Sequence, residues 1–169
     1  NLRGLHFHLG SPIFELEPYR VAVDLVLRFA AQFREEGFEL QRFSPGGGFA
    51  ISYKDEDEPP PVSDYAEAIV STMTETCKDL GMELPSLVIE PGRAIIGPAG
   101  VALYRVGAIK DVPGIRKFVS VDGGMGDNIR PALYEAQYEA VAATRMNEDT
   151  TVTYTVAGKF CESGDILVE

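Results

Sequence analysis

The chain has 169 residues, 45% of them hydrophobic, and a formal net charge of -11 at pH 7. This composition suits one packed domain or parts of two, and it is not that of a disordered chain. The scattered arginines form no basic cluster, which argues against a nucleic-acid partner, and no apolar run approaches the roughly 20 residues of a membrane span. Two cysteines far apart, Cys77 and Cys161, make no disulfide framework. We therefore expect a cytoplasmic protein without nucleic-acid or membrane partners.

The first elements alternate between strand and helix. Residues 5–9 predict a short buried strand that ends at Gly10-Ser11. Pro18 suits the first turn of a helix, and Gly37 suits its left-handed stop. Residues 38–43 predict a second strand, closed by a turn of three glycines. The apolar face predicted for this helix comprises Val21, Leu25, Phe29 and Phe33, with Val26 and Ala30 beside it.

An acidic, proline-rich loop over residues 54–64 precedes a second helix. We predict this helix from an Asp64 N-cap to Gly81, with Tyr65, Ile69 and Met73 on one face. Residues 85–89 predict a third strand, which leads directly into a Glu-Pro-Gly-Arg turn. The alternation implies a parallel sheet with crossover helices, in which functional groups lie at the carboxyl ends of the strands.

The pattern changes after Arg93. Residues 97–109, 116–121 and 150–156 are rich in strand-forming residues, and no strong crossover helix separates the first two. For residues 131–146 we predict a short helical turn after Pro131 and then a strand. The sequence thus predicts an α/β chain, with part of a TIM-like (β/α)8 barrel in residues 1–97. Part of an antiparallel β-barrel or sandwich domain follows in residues 98–169.

His6 and His8 are the only histidines, and on a strand they would share one face. They could bind a metal, be buried in the core, or contact a cofactor. A catalytic zinc requires about three protein ligands, and no further histidine or matching aspartate pattern follows, so we expect no metal. Only His8 is expected to reach the tip of the strand.

The turn Gly46-Gly47-Gly48 is either a flexible connection or a concavity whose main-chain amides hold a phosphate. It is not a P-loop, because no Gly-Lys-Ser/Thr follows. Glu90 follows an apolar run, so we expect it to be partly buried and paired either with Arg93 or with a pyridinium nitrogen.

Cys161 is either a small buried side chain or a surface residue that can deliver a proton. The Glu-Ser-Gly-Asp sequence that follows it favours a turn at a surface or an interface. Cys77 is expected in the core, in the middle of the second predicted helix.

Five stretches of the sequence carry a family resemblance: GLHFHLGS (4–11), GGGFAISY (46–53), EPGRAIIGPAG (90–100), VDGGMGDNIRPALY (121–134) and VAGKFCESGDIL (156–167). They resemble the diaminopimelate decarboxylases, a branch of the pyridoxal-phosphate decarboxylases built on an alanine-racemase-like barrel and a β domain. EPGR and HxGS are shared with ornithine and arginine decarboxylases, whereas the combination of DNIRPALY with CESGD is narrower.

The resemblance implies pyridoxal 5'-phosphate as the cofactor. It implies that residues 1–97 are the last strands of the cofactor-binding barrel. His8 would stack on the ring and Glu90 would bind its nitrogen. The other residues implied to surround the cofactor are Ser11, Gly46, Gly47, Gly48, Pro91, Gly92 and Arg93.

The resemblance further implies decarboxylation of meso-2,6-diaminopimelate to L-lysine. Cys161 would be the proton donor, acting with His8 and Glu90. The implied substrate contacts are Arg93, Arg130, Tyr134 and Glu162. The Cys-Glu turn would complete the site of a neighbouring subunit, so a homodimer with shared active sites is expected.

The lysine that carries the cofactor in this family lies upstream, and none of the five lysines here has that context. They are Lys54, Lys78, Lys110, Lys117 and Lys159. We therefore interpret the chain as an internal piece of a longer protein. Gly126 and Pro12 depart from the usual serine and glutamine. The alternatives are an ornithine, arginine or carboxynorspermidine decarboxylase, a non-catalytic paralogue, and a racemase-like cofactor carrier.

Overall fold

The computed structural model describes residues 2–149 and 151–169, in two compact units. The first unit comprises the chain up to Ser52 together with Glu56–Gly100, and the second comprises Tyr53–Asp55 together with Val101–Glu169. Asn1 and Thr150 lie outside the described residues, so the predicted stretch 150–156 can be compared only from residue 151 onward.

The first unit is a parallel three-stranded sheet with two long helices, as the alternating pattern predicts. The strand order is β1-β2-β3, and both pairings are parallel. In chain order its strands and α-helices are β1 (Gly4–His6), α1 (Glu17–Ala31), β2 (Arg42–Ser44), α2 (Val62–Asp79), β3 (Ser86–Leu87) and α3 (Gly92–Ile96).

The strands are shorter than predicted. β1 ends at His6 rather than at residue 9, and His8 and Leu9 are exposed rather than buried. β2 begins only at Arg42, and β3 has two residues. The predicted strands were too long because apolar residues of the adjoining loops also pack on the core. Phe7, for example, follows β1 and packs against the buried cluster.

Helix α1 buries a different face from the main apolar stripe that was predicted, although Ala30 and Val26, predicted beside that stripe, do lie at the core. Its buried side chains are Tyr19, Val23, Leu27 and Ala30, whereas Val21, Leu25 and Phe29 are 58%, 66% and 49% exposed. The two stripes are offset by two residues, about 200° around a helix of 3.6 residues per turn, so they lie on opposite faces. Periodicity alone does not decide which of two apolar faces meets the sheet.

The helix ends also differ in detail. α1 begins with Pro18 in its first turn, as predicted, but it ends at Ala31. Gly37, with φ 85°, instead ends the short 3-10 helix Arg34–Glu36. α2 begins after Pro61 and not at Asp64. The predicted face of α2 is confirmed: its buried residues include Tyr65, Ile69, Met73 and Cys77.

The core of the first unit is aromatic. The rings of Tyr19 and Tyr65 meet edge to face with centroids 5.6 Å apart, and Phe49 stacks on Tyr65 at 4.7 Å. A polar link joins the helices beside this core: the carboxylate of Asp24 accepts hydrogen bonds from Arg28 (2.8 Å) and Thr76 (2.9 Å). The Arg28 hydrogen bond, with that of Thr76, lowers the pKa of Asp24 despite partial desolvation.

The second unit contains a four-stranded sheet of order β4-β5-β6-β7. β4 and β5 form an antiparallel hairpin, and β6 and β7 are also antiparallel. The prediction of an antiparallel sheet is wrong for β5 and β6, which pair in parallel. The connection between them, residues 122–154, is long enough to return the chain in the same direction. The elements are β4 (Val106–Val112), β5 (Arg116–Val121), α4 (Arg130–Tyr134), β6 (Thr155–Ala157) and β7 (Ile166–Val168).

Two other predictions for this part change. Gly97–Ala99 is a 3-10 helix, so the β-structure predicted from residue 97 starts only at Val106. The predicted helical turn after Pro131 is confirmed as α4, but no strand follows it within residues 135–149. None of the helices in the described residues is both long enough and apolar enough to cross a membrane.

Tyr19→Phe should lower the free energy of unfolding of the intact protein by about 1–2 kcal/mol. The Tyr19 side chain is fully buried, and its hydroxyl donates to the carbonyl oxygen of Gly47 at 2.7 Å. The substitution leaves that buried carbonyl without its donor. Denaturant titration at neutral pH measures the change.

Burial, with a smaller contribution from Tyr65, raises the pKa of Tyr19 to about 12. The Tyr19 contribution is therefore complete below pH 10 and is lost as the pH rises toward 12. Tyr134→Phe is the control, because Tyr134 is 65% exposed and the loss of its hydroxyl should change stability by no more than about 0.5 kcal/mol. Equal effects of the two variants would contradict the role of the buried hydrogen bond.

Candidate cofactor and substrate sites

Three polar side chains meet where the three parallel strands end. His6 is the last residue of β1, Ser44 is the last residue of β2, and Glu90 follows β3. His6 Nε2 lies 3.3 Å from each oxygen of the Glu90 carboxylate. Ser44 Oγ donates to Glu90 Oε1 at 3.2 Å. Carboxylate, imidazole and hydroxyl groups are thus concentrated at the edge of the sheet where α/β proteins place their ligands.

This arrangement corrects two expectations. Glu90 was expected to be partly buried; its side chain is 53% exposed, and its carboxylate contacts His6 and Ser44, which were not among the expected partners. His6 was not expected to reach the strand tip, yet it contacts Glu90 directly. Two histidines separated by one residue lie on the same face only if the strand continues through both of them. Because β1 ends at His6, the spacing did not fix the position of His8.

The glycine turn fits tightly among the loops that follow the other two strands. A Cβ on Gly46 would lie 2.6 Å from the Phe7 carbonyl oxygen, and a Cβ on Gly47 or Gly48 would overlap the carbonyl oxygen of Glu90 or Gly10. Gly46 and Gly48 also have φ values of 74° and 94°. Only glycine satisfies both conditions at these positions, so a flexible connection is not an adequate description of this turn.

Hydrogen bonds hold these loops together. The Glu90 amide donates to Gly46 O at 2.9 Å, and the Ile13 amide donates to Gly48 O at 2.9 Å. The Gly46 amide donates to Ser44 Oγ at 3.2 Å, and the Gly47 amide lies 3.5 Å from His8 Nδ1. The amides of Gly46 and Gly47, which were predicted to hold a phosphate, therefore have acceptors within the chain. One of these acceptors is His8, the histidine predicted to contact the cofactor ring.

The remaining candidates of the first unit flank this centre. Ser11 is exposed and lies in the loop between Gly10 and Ile13 that packs against Gly48. Pro91 precedes α3, and the Gly92 amide donates to Glu90 O at 2.9 Å. Arg93 lies in the first turn of α3 and is half-buried.

In the second unit, Arg130 and Tyr134 lie one turn apart on α4. The guanidinium carbon of Arg130 is 5.5 Å from the centre of the Tyr134 ring. Arg130 Nε also donates to the hydroxyl of Tyr138 at 3.1 Å. Tyr138 is a contact that the sequence did not reveal, because it lies in an irregular segment without periodicity.

Cys161 and Glu162 form an exposed turn, which confirms the surface interpretation of this cysteine. Glu162 Oε1 accepts hydrogen bonds from Ser163 Oγ (3.1 Å) and the Gly164 amide (3.3 Å). The following residue, Asp165, is 3% exposed, and its carboxylate accepts from the amides of Met125 (2.5 Å) and Phe160 (2.7 Å). Asp165 thus fastens the turn to the loop that precedes α4.

The described residues contain no cluster of three or more histidine, cysteine, aspartate or glutamate side chains able to hold a metal ion. Cys77 is buried, as expected from its place in α2, and burial raises the pKa of its thiol. Of the two cysteines, only Cys161 is exposed.

The chain is similar to curated diaminopimelate decarboxylases along nearly its whole length. It is 45% identical to that of Bacillus subtilis over 168 residues and 44% identical to that of Halalkalibacterium halodurans over 169 residues. Each match covers 99% of this chain but 38% of the relative. The chain thus spans less than two fifths of the length of these relatives.

Solved structures show the same likeness. A diaminopimelate decarboxylase from M. jannaschii in complex with L-lysine matches with a TM-score of 0.84 and 37% identity, over 99% of this chain and 38% of that one. The Helicobacter pylori enzyme complexed with L-lysine matches with a TM-score of 0.81 and 31% identity, over 99% and 39% of the two chains. These neighbours confirm the α/β fold class.

A family model described as "Pyridoxal-dependent decarboxylase, pyridoxal binding domain" matches residues 1–97, and those residues contain the three strand ends that carry His6, Ser44 and Glu90. This match covers more than half of the chain, and the chain belongs to the pyridoxal-dependent decarboxylases.

Proposed function

We propose that this chain is part of a diaminopimelate decarboxylase, which converts meso-2,6-diaminopimelate to L-lysine and CO2 with pyridoxal 5'-phosphate. The supporting observation is the meeting of Glu90, His6 and Ser44 at the ends of three parallel strands, in a chain 45% identical to an enzyme of that name. Residues 1–97 would be the last part of the cofactor-binding barrel and residues 98–169 part of the β domain.

The residues present fit the cofactor. A carboxylate has about four lone-pair positions, and two hydrogen bonds to Glu90 leave room for a protonated ring nitrogen. His8 lies next to the glycine turn, where its ring can contact an aromatic ring. Three donors are available for a phosphate: the hydroxyl of Ser11, the amide of Gly48 and the guanidinium of Arg93 in the first turn of α3. The amides of Gly46 and Gly47 already donate to Ser44 Oγ and His8 Nδ1, so these two glycines would shape the turn beside the phosphate.

When bound, pyridoxal phosphate would supply an electron sink for the electron pair that stays on the α-carbon when CO2 leaves. The Glu90 carboxylate favours the protonated form of the ring nitrogen, which strengthens that sink. Pro91 and Gly92 set the direction of the chain between Glu90 and Arg93. Cys161, exposed on its turn, donates a proton to the α-carbon of the product.

Substrate selection is assigned to the second unit. The far end of diaminopimelate carries a carboxylate and an ammonium group. Arg130, with Tyr134 beside it, offers paired donors to the carboxylate, and Glu162 accepts from the ammonium. Ornithine lacks that carboxylate and would leave Arg130 without a counter-charge, which disfavours ornithine and arginine decarboxylase activity.

The intact enzyme would be a cytoplasmic homodimer in which the turn of Cys161 and Glu162 serves the partner subunit. The exposure of both side chains is consistent with this role. The cofactor-bearing lysine would be contributed by the rest of the protein. A non-catalytic paralogue or a racemase-like carrier remains the alternative, and CO2 release from meso-diaminopimelate by the intact protein distinguishes the enzyme from both.

Glu90→Gln in the intact protein should lower kcat by about 100-fold or more, while the affinity for pyridoxal phosphate falls much less. The substitution keeps the size of the side chain but removes the charge that favours a protonated ring nitrogen. Steady-state kinetics and cofactor titration measure the two effects. Glu83→Gln, at an exposed residue before β3, is the control. Equal loss of turnover and of cofactor affinity would contradict the electronic role.

Cys161→Ala should reduce turnover by roughly 100- to 10,000-fold, because it removes the general acid. The rate of CO2 release and the stereochemistry of the lysine product are the measurements. Thr153→Ala, at an exposed residue of the same unit, is the control and should remain active. Unchanged turnover and stereochemistry in the Cys161→Ala protein would show that another group donates the proton.

Arg130→Ala should lower kcat/KM for meso-diaminopimelate by about 100-fold, since a charged pair of about 3 kcal/mol is lost. Activity with ornithine should not fall, because ornithine has no distal carboxylate and the variant no longer sets an uncompensated charge against it. Arg145→Ala is the control, at an exposed arginine that pairs with Glu148. A wild-type protein that prefers ornithine would contradict the assignment of Arg130.

A further inference from the structure

Both oxygens of the Glu90 carboxylate are engaged by side chains of the other two strands. Ser44 Oγ donates to Oε1 at 3.2 Å, and His6 Nε2 lies 3.3 Å from Oε2. Since a carboxylate only accepts hydrogen bonds, the imidazole presents its Nε2–H to Glu90. The direction of the Glu90 side chain is therefore set by two donors and not by its own rotamer preference alone.

The sheet brings the two donors together. His6 and Ser44 are register partners in the parallel pair β1–β2, so their side chains lie side by side on one face. Ser44 is 8% exposed and is fixed in turn by the amide of Gly46, which donates to its hydroxyl at 3.2 Å. The Glu90 main chain is tied to the same turn through its amide and Gly46 O.

We propose that His6 is a positioning residue for Glu90, and that together with Ser44 it aims the carboxylate at the ring nitrogen of the cofactor. This inference rests on the proposed function, because it assigns a role toward a group that Glu90 would bind. It assigns to the first histidine of the His-x-His sequence a task distinct from that of His8. In this proposal His6 acts through Glu90.

A contribution to stability is a poor explanation of this contact. The side chains of His6 and Glu90 are 51% and 53% exposed, and ion pairs at such exposure contribute little to stability. The contact should therefore matter for the orientation of the carboxylate rather than for folding. An error of about 1 Å in such a group can reduce a catalysed rate by up to about 100-fold.

The experiment compares His6→Leu and His6→Gln in the intact holoenzyme. Leucine removes the donor at similar size, whereas the glutamine amide can present an N–H in place of Nε2–H. We expect His6→Leu to lower kcat on the order of ten-fold, with KM nearly unchanged, and His6→Gln to recover most of the loss. The absorbance and fluorescence spectra of the bound cofactor should shift in His6→Leu and return in His6→Gln.

Two further variants test whether the loss of kcat in His6→Leu acts through Glu90. In a Glu90→Gln background, His6→Leu should cause no additional loss of kcat and no additional spectral change, because the group that it positions is already altered. Arg3→Gln, at an exposed residue just before β1, controls for general effects on this strand and should leave both measurements unchanged.

The inference is overturned if His6→Leu leaves kcat and the cofactor spectra as in the wild type while Glu90→Gln alters them. It is also overturned if the losses of His6→Leu and Glu90→Gln add independently. If His6→Leu does not fold, His6→Gln still decides, since a His6→Gln protein that binds cofactor but has no recovered turnover contradicts positioning by an N–H donor. A wild-type protein without bound cofactor or activity would overturn the proposed function itself, and this inference with it.

Discussion

The close approach of three loops around the glycine turn is the constraint on which the first unit depends. Gly46, Gly47 and Gly48 lie against the carbonyl oxygens of Phe7, Glu90 and Gly10, at distances that no side chain would permit. Hydrogen bonds from the Glu90 amide and the Tyr19 hydroxyl secure the turn from both sides. Because the turn stands at the end of the middle strand, it sets the distance between the residues that end the outer two.

That spacing explains how three side chains that are individually ordinary form a site. His6 and Glu90 are exposed and Ser44 is buried, and each of the three comes from a different strand end. Parallel strands present their carboxyl ends at one edge, so a single short sheet suffices to gather an acid, an imidazole and a hydroxyl. In the second unit the buried Asp165 has a similar effect, since its carboxylate accepts hydrogen bonds from the amides of Met125 and Phe160 and so fixes the turn of Cys161.

Several features could be predicted from the residues because their causes are local. The alternation of strand and helix, the apolar face of α2, the left-handed Gly37 and the helical turn after Pro131 all follow from neighbouring residues. The motifs at the strand ends were found in the same way, and the family to which they point is confirmed. The position of Cys161 on an exposed turn followed from the polar, glycine-containing residues after it.

The sequence by itself determined the order of β1, α1, β2, α2 and β3, the parallel direction of their sheet and the residue types available at its edge. Only the tertiary structure decided which face of α1 is buried, that β5 and β6 run parallel, and that Glu90 contacts His6. Each of these depends on contacts between residues distant in the chain, such as positions 6 and 90. Periodicity reports how side chains are arranged around one element, but not which neighbour that element meets in space.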